Sequence, residues 1–215
     1  MTTSDSRPER FYSLILDYIS QLEGTGDYVQ ALRAVDASAP VPPPVEDPPG
    51  AYNTAANWTA RCSPKGAALV GAMCAEMNEL PWHPPYAPGV DAGPGFAELA
   101  ASSGRVGPKA PVRSDRVAAG FFAIGQGVDY FDHAHEPAEL YIPIAGEAEF
   151  WAEGKGWRRL GPDSVMVHPP WQWHAMRTPD SPVLVLWMWL GPQGFGVAPT
   201  LRREIAGLPV DAPGA

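Results

Sequence analysis

The spacing of hydrophobic positions changes from helix-like to strand-like along the chain. In the first third, apolar residues recur at intervals of three and four, which is typical of a helix with one buried face. The first such stripe consists of Phe11, Leu14, Ile15, Tyr18, Ile19 and Leu22. Ser6, with Glu9 three positions later, predicts a capping box before it, and Gly24 and Gly26 end the helix. We interpret this stripe as core or as a homodimer contact.

Two further helices are predicted before residue 81. A short helix covers 28–35, and Ser63 with Pro64 opens a third helix that Pro81 stops. The third helix carries Leu69, Val70, Met73, Met77 and Leu80. Between the second and third helices, 39–50 reads APVPPPVEDPPG. Each proline fixes its own φ and restrains the preceding residue, so this segment is predicted to be an extended strap.

From about residue 105, apolar residues come in short runs that glycine and proline turns separate. The predicted strands are 117–124, 130–135, 139–144, 148–152, 165–167 and 183–189. Repeated short strands of this kind indicate a sandwich or a closed barrel. The sequence therefore predicts a mainly β protein with an N-terminal α-helical region.

One stretch within these strands carries candidate chemistry. Residues 127–146 read GVDYFDHAHEPAELYIPIAG, which places two imidazoles and a carboxylate, all ligands of first-row metals, in one short segment. Successive side chains of a strand point to opposite faces. His133, His135, Glu139 and Tyr141 are therefore predicted to share one face, and Leu140, Ile142 and Ile144 the other. A bend at Pro137 would curl the three candidate ligands around one metal ion.

A fourth ligand is expected farther along the chain. Residues 161–179, GPDSVMVHPPWQWHAMRTP, offer His168 and His174, and we predict His174 as the ligand with His168 in reserve. Three imidazoles and a carboxylate suit one divalent transition metal. Fe(II) and Zn come first, without preference between them, and Ni, Mn and Cu are alternatives.

Composition and charge make some binding partners and cellular locations less favourable than others. The chain is 45% hydrophobic and 18% charged, which is globular, and its net charge of -9 disfavours nucleic acid and anionic membranes as partners. No apolar segment is long enough to span a bilayer, and no signal peptide is recognised. Cys62 and Cys74 are expected to be reduced thiols. These features predict a cytoplasmic protein.

The same residues carry a family resemblance. Residues 127–146 match the first conserved motif of the cupin superfamily, and 161–178 resemble its second, with Trp171 where glycine is usual and Thr178 where asparagine is usual. Tyr141 two positions after Glu139, with the runs LPWHPPY at 80–86, HAMRTP at 174–179 and LVLWMWLG at 184–191, resembles the cupin-type dimethylsulfoniopropionate (DMSP) lyases. An acidic residue often follows that last glycine in the family, whereas Pro192 follows it here, so the subgroup stays open.

The resemblance implies both an architecture and an activity. The architecture is a cupin double-stranded β-helix, or jelly-roll barrel. The expected divisions are an N-terminal helical region with its strap and loop at 1–104, a barrel with the metal site at 105–200 and a tail at 201–215. The implied enzyme is a carbon-sulfur lyase of the dimethylpropiothetin dethiomethylase type. It would cleave a small zwitterionic sulfonium, DMSP, to dimethyl sulfide and acrylate by β-elimination.

The resemblance also implies residue roles. Tyr141 is the expected general base, whereas its position alone would indicate an inward-facing structural tyrosine. Tyr130 is a second phenol that would hold the substrate carboxylate or relay the proton. A sulfonium cation is attracted to aromatic faces. The expected substrate-binding rings are Trp187, Trp189, Trp173 and Phe131.

Two alternatives from other functional classes stay open. A cupin dioxygenase would use the same ligands with Fe(II) and O₂, and Tyr141 would then be dispensable. A non-catalytic metal-binding or sensor cupin would use the helical region to contact a partner protein. An oxygen requirement would favour the first alternative, and absence of turnover on any sulfonium would favour the second.

Overall fold

The computed structural model describes residues 8–37, 57–191, 195, 197–202, 204–205 and 208–209. The predicted cap at Ser6, the strap at 39–50 and Pro192 lie outside these residues. Within the described residues, four α-helices, α1 to α4, span Pro8–Ile19, Gly26–Arg33, Ala67–Ala75 and Phe96–Leu99, and a short 3-10 helix spans Trp58–Ala60. The third helix is shorter than the predicted 63–80. Beyond Ala75 the chain continues in turns, in which the Glu79 and Leu80 amides both donate to the Glu76 carbonyl and the Trp82 indole donates to the Met77 carbonyl at 2.8 Å.

The rest of the described chain consists mostly of strands. In chain order, β1 to β13 span Ala100–Gly107, Val112–Arg113, Val117–Ile124, Asp129–Ala134, Ala138–Gly146, Ala148–Ala152, Gly156–Leu160, Met166–His168, His174–Arg177, Val183–Leu190, Thr200–Leu201, Glu204–Ile205 and Leu208–Pro209. One sheet has the order β2-β1-β3-β10-β5-β8 and the other β11-β4-β9-β6-β7, while β12 pairs with β13. The predicted fold class, a mainly β cupin jelly roll with an N-terminal helical region, is confirmed. The division of the chain at residues 104 and 200 stays a prediction.

The sheet that contains β5 is buried on both faces. On its outer face, the stripe of α1 packs against the barrel, with the Phe11 and Phe121 rings 5.5 Å apart at 73°. The stripe is therefore core, which was one of its two predicted roles. Leu140, Ile142 and Ile144 belong to this outer layer, whereas Tyr141 packs in the layer between the two sheets. The predicted alternation along β5 is confirmed.

The loop at 80–86 is attached to the barrel wall. His83 and Ser102 exchange two backbone hydrogen bonds of 3.0 and 2.9 Å, which form an isolated antiparallel bridge onto β1. Trp82 is buried in the outer layer. Cys62 and Cys74 are free, as predicted. Among the helices of the described residues, none is long and apolar enough to cross a membrane.

Asp163 joins the helical layer to the barrel, and its loss is expected to be costly. One of its carboxylate oxygens, Oδ1, accepts from the Tyr18 hydroxyl of α1 and from the Ser63 hydroxyl, both at 2.8 Å. Its backbone is left-handed, with φ 68°, which asparagine tolerates and alanine does not.

We expect Asp163→Ala to lower the free energy of unfolding by about 3 kcal/mol in urea titrations, because the buried Tyr18 hydroxyl loses its partner and backbone strain is added. Asp163→Asn is the matched control and should cost less than half as much. Equal losses of unfolding free energy in the two variants would contradict this account of how Asp163 connects the helices to the barrel.

Candidate metal centre

The predicted ligands and the reserve histidine lie where several strands end. His133 lies near the end of β4, His135 directly after it, Glu139 near the start of β5, His168 at the end of β8 and His174 at the start of β9. Strand pairing places His133 opposite His174, and it places Glu139 opposite His168. All five side chains are buried. The fold therefore gathers residues that are distant in sequence into one enclosed cluster.

The Glu139 carboxylate is the centre of this cluster. Its Oε2 atom lies 2.8 Å from His135 Nε2 and 2.9 Å from His174 Nε2. Its Oε1 atom accepts a hydrogen bond of 2.7 Å from the Trp189 indole. Potential ligand atoms of His133, Glu139 and His174 all lie within 4.8 Å of one another. The structure thus groups three of the four predicted ligands. The fourth, His135, contacts Glu139 Oε2, the oxygen that His174 also contacts.

The imidazole hydrogen bonds show which nitrogen of each ring faces the cluster. The Nδ1 atoms of His133, His135 and His174 lie 2.9, 2.9 and 2.8 Å from backbone carbonyl oxygens of Phe131, Pro137 and Gln172. A carbonyl only accepts, so each Nδ1 carries the hydrogen, and Nε2 of a neutral ring keeps a lone pair. His133 Nε2 is buried with no hydrogen-bond partner among the described residues. The Nε2 atoms of His135 and His174 converge on the Glu139 carboxylate, and His133, with its unpartnered Nε2, belongs to the same cluster. This arrangement fits a bound cation.

Electrostatics favour a negative charge at the centre of the cluster and a neutral ring at His133. Burial, with the nearby His174, lowers the pKa of His133 well below its ordinary value. Burial alone would raise the pKa of Glu139, but His135 and His174 outweigh it and hold that pKa well below its ordinary range. Burial likewise opposes charge on His135, yet the Glu139 carboxylate outweighs burial and raises the His135 pKa. The site therefore offers an ionised carboxylate next to a neutral imidazole.

His168 lies beside a predicted ligand. Its ring stacks on His174 with centroids 4.1 Å apart at 16°. Its Nδ1 lies 3.2 Å from Gln172 Oε1, and the Gln172 amide donates to the Glu153 carbonyl at 3.0 Å. Burial and the neighbouring His174 lower the pKa of His168 to about 3. His168 is thus a neutral ring that Gln172 helps to hold in place. The sequence patterns did not reveal Gln172 as a supporting residue.

The two predicted phenols form part of the wall of the cluster. The Tyr141 ring centroid lies 5.9 Å from that of His174 and 5.8 Å from that of His168. Burial and the Glu139 charge raise the pKa of Tyr141 well above its ordinary value. Tyr130 stacks on His133 with centroids 3.9 Å apart at 19°. Its hydroxyl lies 2.6 Å from that of Tyr86, a residue that only the LPWHPPY run could have indicated.

The four predicted substrate-binding rings have different surroundings. The Trp189 ring lies 4.6 Å from His135 and 5.9 Å from Trp187, so both β10 tryptophans face the same side. The Arg202 guanidinium covers Trp173 at 3.4 Å. Phe131 lies beside Gly93. Within the described part of the chain, no ring contact joins Trp173 or Phe131 to the site histidines.

Comparisons with known proteins agree on one family. A family model described as dimethylsulfoniopropionate lyase matches residues 52–185. The curated dimethylsulfoniopropionate lyase DddQ of Ruegeria pomeroyi (strain DSS-3) is 37% identical over 125 residues, which are 58% of this chain and 62% of that protein. The alignment therefore spans less than two thirds of the curated relative.

Two solved structures share the fold. The crystal structure of DMSP lyase DddQ from Ruegeria pomeroyi DSS-3 has a TM-score of 0.76 at 28% identity, covering 93% of this chain and 98% of the other. A crystal structure from work on the DMSP lyases RdDddP and RnDddQII has a TM-score of 0.76 at 22% identity, covering 91% and 97%. At that lower identity, the second match supports the fold alone.

Proposed function

The chain belongs to the dimethylsulfoniopropionate lyase family, and we propose that it cleaves DMSP to dimethyl sulfide and acrylate by β-elimination. The observation that carries the proposal is the position of Tyr141. This buried phenol follows Glu139 by two residues on the same strand, and its ring contacts those of His174 and His168. A buried phenol this close to the candidate ligands supports a role for Tyr141 as the base.

We propose that His133, His135, Glu139 and His174 hold one divalent transition metal. Iron and zinc come first, and nickel, manganese and copper are alternatives. The support is the orphaned Nε2 of His133 and the two imidazoles that contact one carboxylate oxygen. When bound, the metal supplies Lewis-acid stabilisation of the negative charge that grows on the substrate carboxylate as the Cα proton leaves.

Tyr141 takes the Cα proton in this scheme. The electron pair of the broken C–H bond forms the C=C bond, and the C–S bond breaks with its pair going to sulfur. The zwitterion thus becomes neutral dimethyl sulfide and anionic acrylate, and the proton stays on the Tyr141 oxygen until it is released to solvent. Burial and Glu139 raise the pKa of this phenol, so its reactive phenolate depends on positive charge nearby. The substrate sulfonium contributes such a charge.

Binding of the two ends of the substrate would fall to other side chains. Tyr130 holds the carboxylate or passes on the proton. Trp187 and Trp189 lie side by side, and their ring faces suit the sulfonium. Trp173 and Phe131 stay predicted substrate contacts, although one is covered by Arg202 and the other lies beside Gly93. A cytoplasmic location and a homodimeric state also stay predictions.

The test is headspace detection of dimethyl sulfide from purified, metal-replete protein that is given DMSP without oxygen. We expect sulfide and acrylate in equal amounts, because each DMSP molecule yields one of each. Release should not need oxygen, because the elimination involves no oxidant. The same protein after chelation and buffer exchange is the control, and it should release sulfide only after a divalent metal is restored. If the metal-replete protein releases no sulfide, the lyase proposal is wrong. Oxygen consumption would then distinguish a dioxygenase from a non-catalytic cupin.

A further inference from the structure

The hydroxyl of Tyr130 has a single hydrogen-bond partner among the described residues, the Tyr86 hydroxyl at 2.6 Å. Tyr130 is only 5% exposed, whereas Tyr86 is partly exposed. A buried phenol hydroxyl usually has a hydrogen-bond partner, because an unsatisfied one costs free energy. Tyr86 therefore satisfies a polar group in the wall of the metal centre, although it lies outside the strands that carry the centre.

Packing leaves the Tyr130 ring little freedom. Its centroid is 3.9 Å from that of His133 on one side and 4.4 Å from that of Phe96, while Phe122 lies edge-on at 6.1 Å. The β4 strand has a register irregularity between Tyr130 and His133, which lets these two rings stack. Because the ring is held, the principal freedom left is rotation of the hydroxyl hydrogen. The partner of that hydroxyl decides where the hydrogen points.

Tyr86 is itself held by the loop that carries it. Three residues earlier, the backbone of His83 is bridged to Ser102 on β1. The Tyr86 ring also packs against Phe96 and Tyr130, with centroids 5.8 and 6.2 Å apart. The loop thus has two structural roles, attachment to the barrel wall and contact with the site. His83 performs the first, and Tyr86 extends from the attached loop to the site.

We infer that Tyr86 is a positioning residue that directs the Tyr130 hydroxyl toward the substrate carboxylate. A carboxylate only accepts hydrogen bonds, so it draws the Tyr130 hydrogen to itself. The Tyr130 oxygen is then free to accept from Tyr86, and the two hydroxyls form a chain in which each bond strengthens the other. The inference rests on the proposed function and selects carboxylate binding, rather than proton transfer, as the role of Tyr130.

A double-mutant cycle tests the inference. The parent, Tyr86→Phe, Tyr130→Phe and the double variant are compared by kcat and KM for dimethyl sulfide release, with metal content measured for each. We expect Tyr86→Phe to lower kcat/KM about tenfold, mostly through KM, and Tyr130→Phe to lower it about thirtyfold. The double variant should match Tyr130→Phe within about twofold, because Tyr86 acts only through Tyr130.

Tyr12→Phe is the matched control. It removes a phenol hydroxyl that bonds the Leu32 carbonyl at 2.8 Å in the helical layer. Its kinetics should equal those of the parent. Unchanged kinetics in Tyr86→Phe, or the same tenfold loss in the Tyr130→Phe background, would overturn the inference. A loss in kcat at unchanged KM would also overturn it and would assign the pair to proton transfer.

Acrylate titrations separate this inference from the lyase proposal. The same proteins are titrated with acrylate by calorimetry, which needs no turnover. We expect Tyr86→Phe to weaken acrylate binding about tenfold and Tyr12→Phe to leave it unchanged. If the parent releases no dimethyl sulfide but this pattern holds, the lyase proposal fails and the positioning role stands. Equal acrylate affinity in the parent and Tyr86→Phe, or no binding to the parent, would overturn the positioning role.

Discussion

Tyr141→Phe is expected to lower kcat for dimethyl sulfide release about a thousandfold while the protein keeps its metal. The size follows from the usual contribution of a positioned general base, about 10²- to 10⁴-fold. Phenylalanine keeps the ring, which packs 6.0 Å from Phe150 and close to the rings of His168 and His174. The change therefore removes the hydroxyl and little else. Headspace sulfide and bound metal are measured on the same preparation.

A second phenol provides the control for this substitution. Tyr28 in α2 is buried, and its hydroxyl has no hydrogen-bond partner among the described residues. Tyr28→Phe removes a buried hydroxyl without breaking a described bond, so activity should stay within about twofold of the parent. If Tyr141→Phe kept more than a tenth of the parent kcat, the base would have to be another group. Loss of metal from Tyr141→Phe would instead make Tyr141 part of the metal-holding set.

Several strands could be predicted from the sequence because burial on each face follows a simple pattern. The strands 117–124 and 148–152 coincide with β3 and β6. In β5, Leu140 and Ile142 contact the helical layer while Tyr141 points between the sheets, so alternation holds although every position is apolar or buried. Strand periodicity is reliable here because each face meets a different layer.

Other strands could not be predicted because tertiary contacts define them. β1 reads AASSGRVG, whose small and polar residues give no strand pattern, and its burial comes from the layers on either side. β7, GWRRL, is a partly exposed strand that pairs with β6 at the edge of the described sheet. β9 begins at His174, and the run PPWQW directly before it gives no strand pattern. In each case, pairing with a distant strand outweighs local composition.

The candidate ligands were more predictable than their surroundings. The H-x-H-x-x-x-E spacing on strands already predicted a cluster, whereas the Tyr86 hydroxyl that bonds Tyr130 comes from a loop that lies well before these strands in the sequence.

Trp171 departs from the residue type usual in the motif but keeps the backbone conformation that the motif requires. It adopts φ 61°, the left-handed conformation that favours the glycine usual at this position. Its N–H donates to the His135 carbonyl at 2.8 Å, which helps to hold the turn despite the side chain.

His174→Ala is expected to weaken divalent-metal binding more than about 100-fold and to abolish sulfide release, whereas His168→Ala should weaken metal binding only about 10- to 100-fold. His174 Nε2 faces the Glu139 carboxylate, and its Nδ1 hydrogen bond to the Gln172 carbonyl fixes the ring. His168 instead contacts the flank of the His174 ring, so it acts on the metal through another residue. Losses of about 10- to 100-fold are usual for such supporting residues, and removal of a ligand costs more.

Metal affinity is measured by competition with a chelator, and thermal unfolding verifies that each variant is folded. Release of metal by His168→Ala alone would make His168 the fourth ligand, and Tyr141, whose ring lies about equally far from both histidines, would still contact the centre.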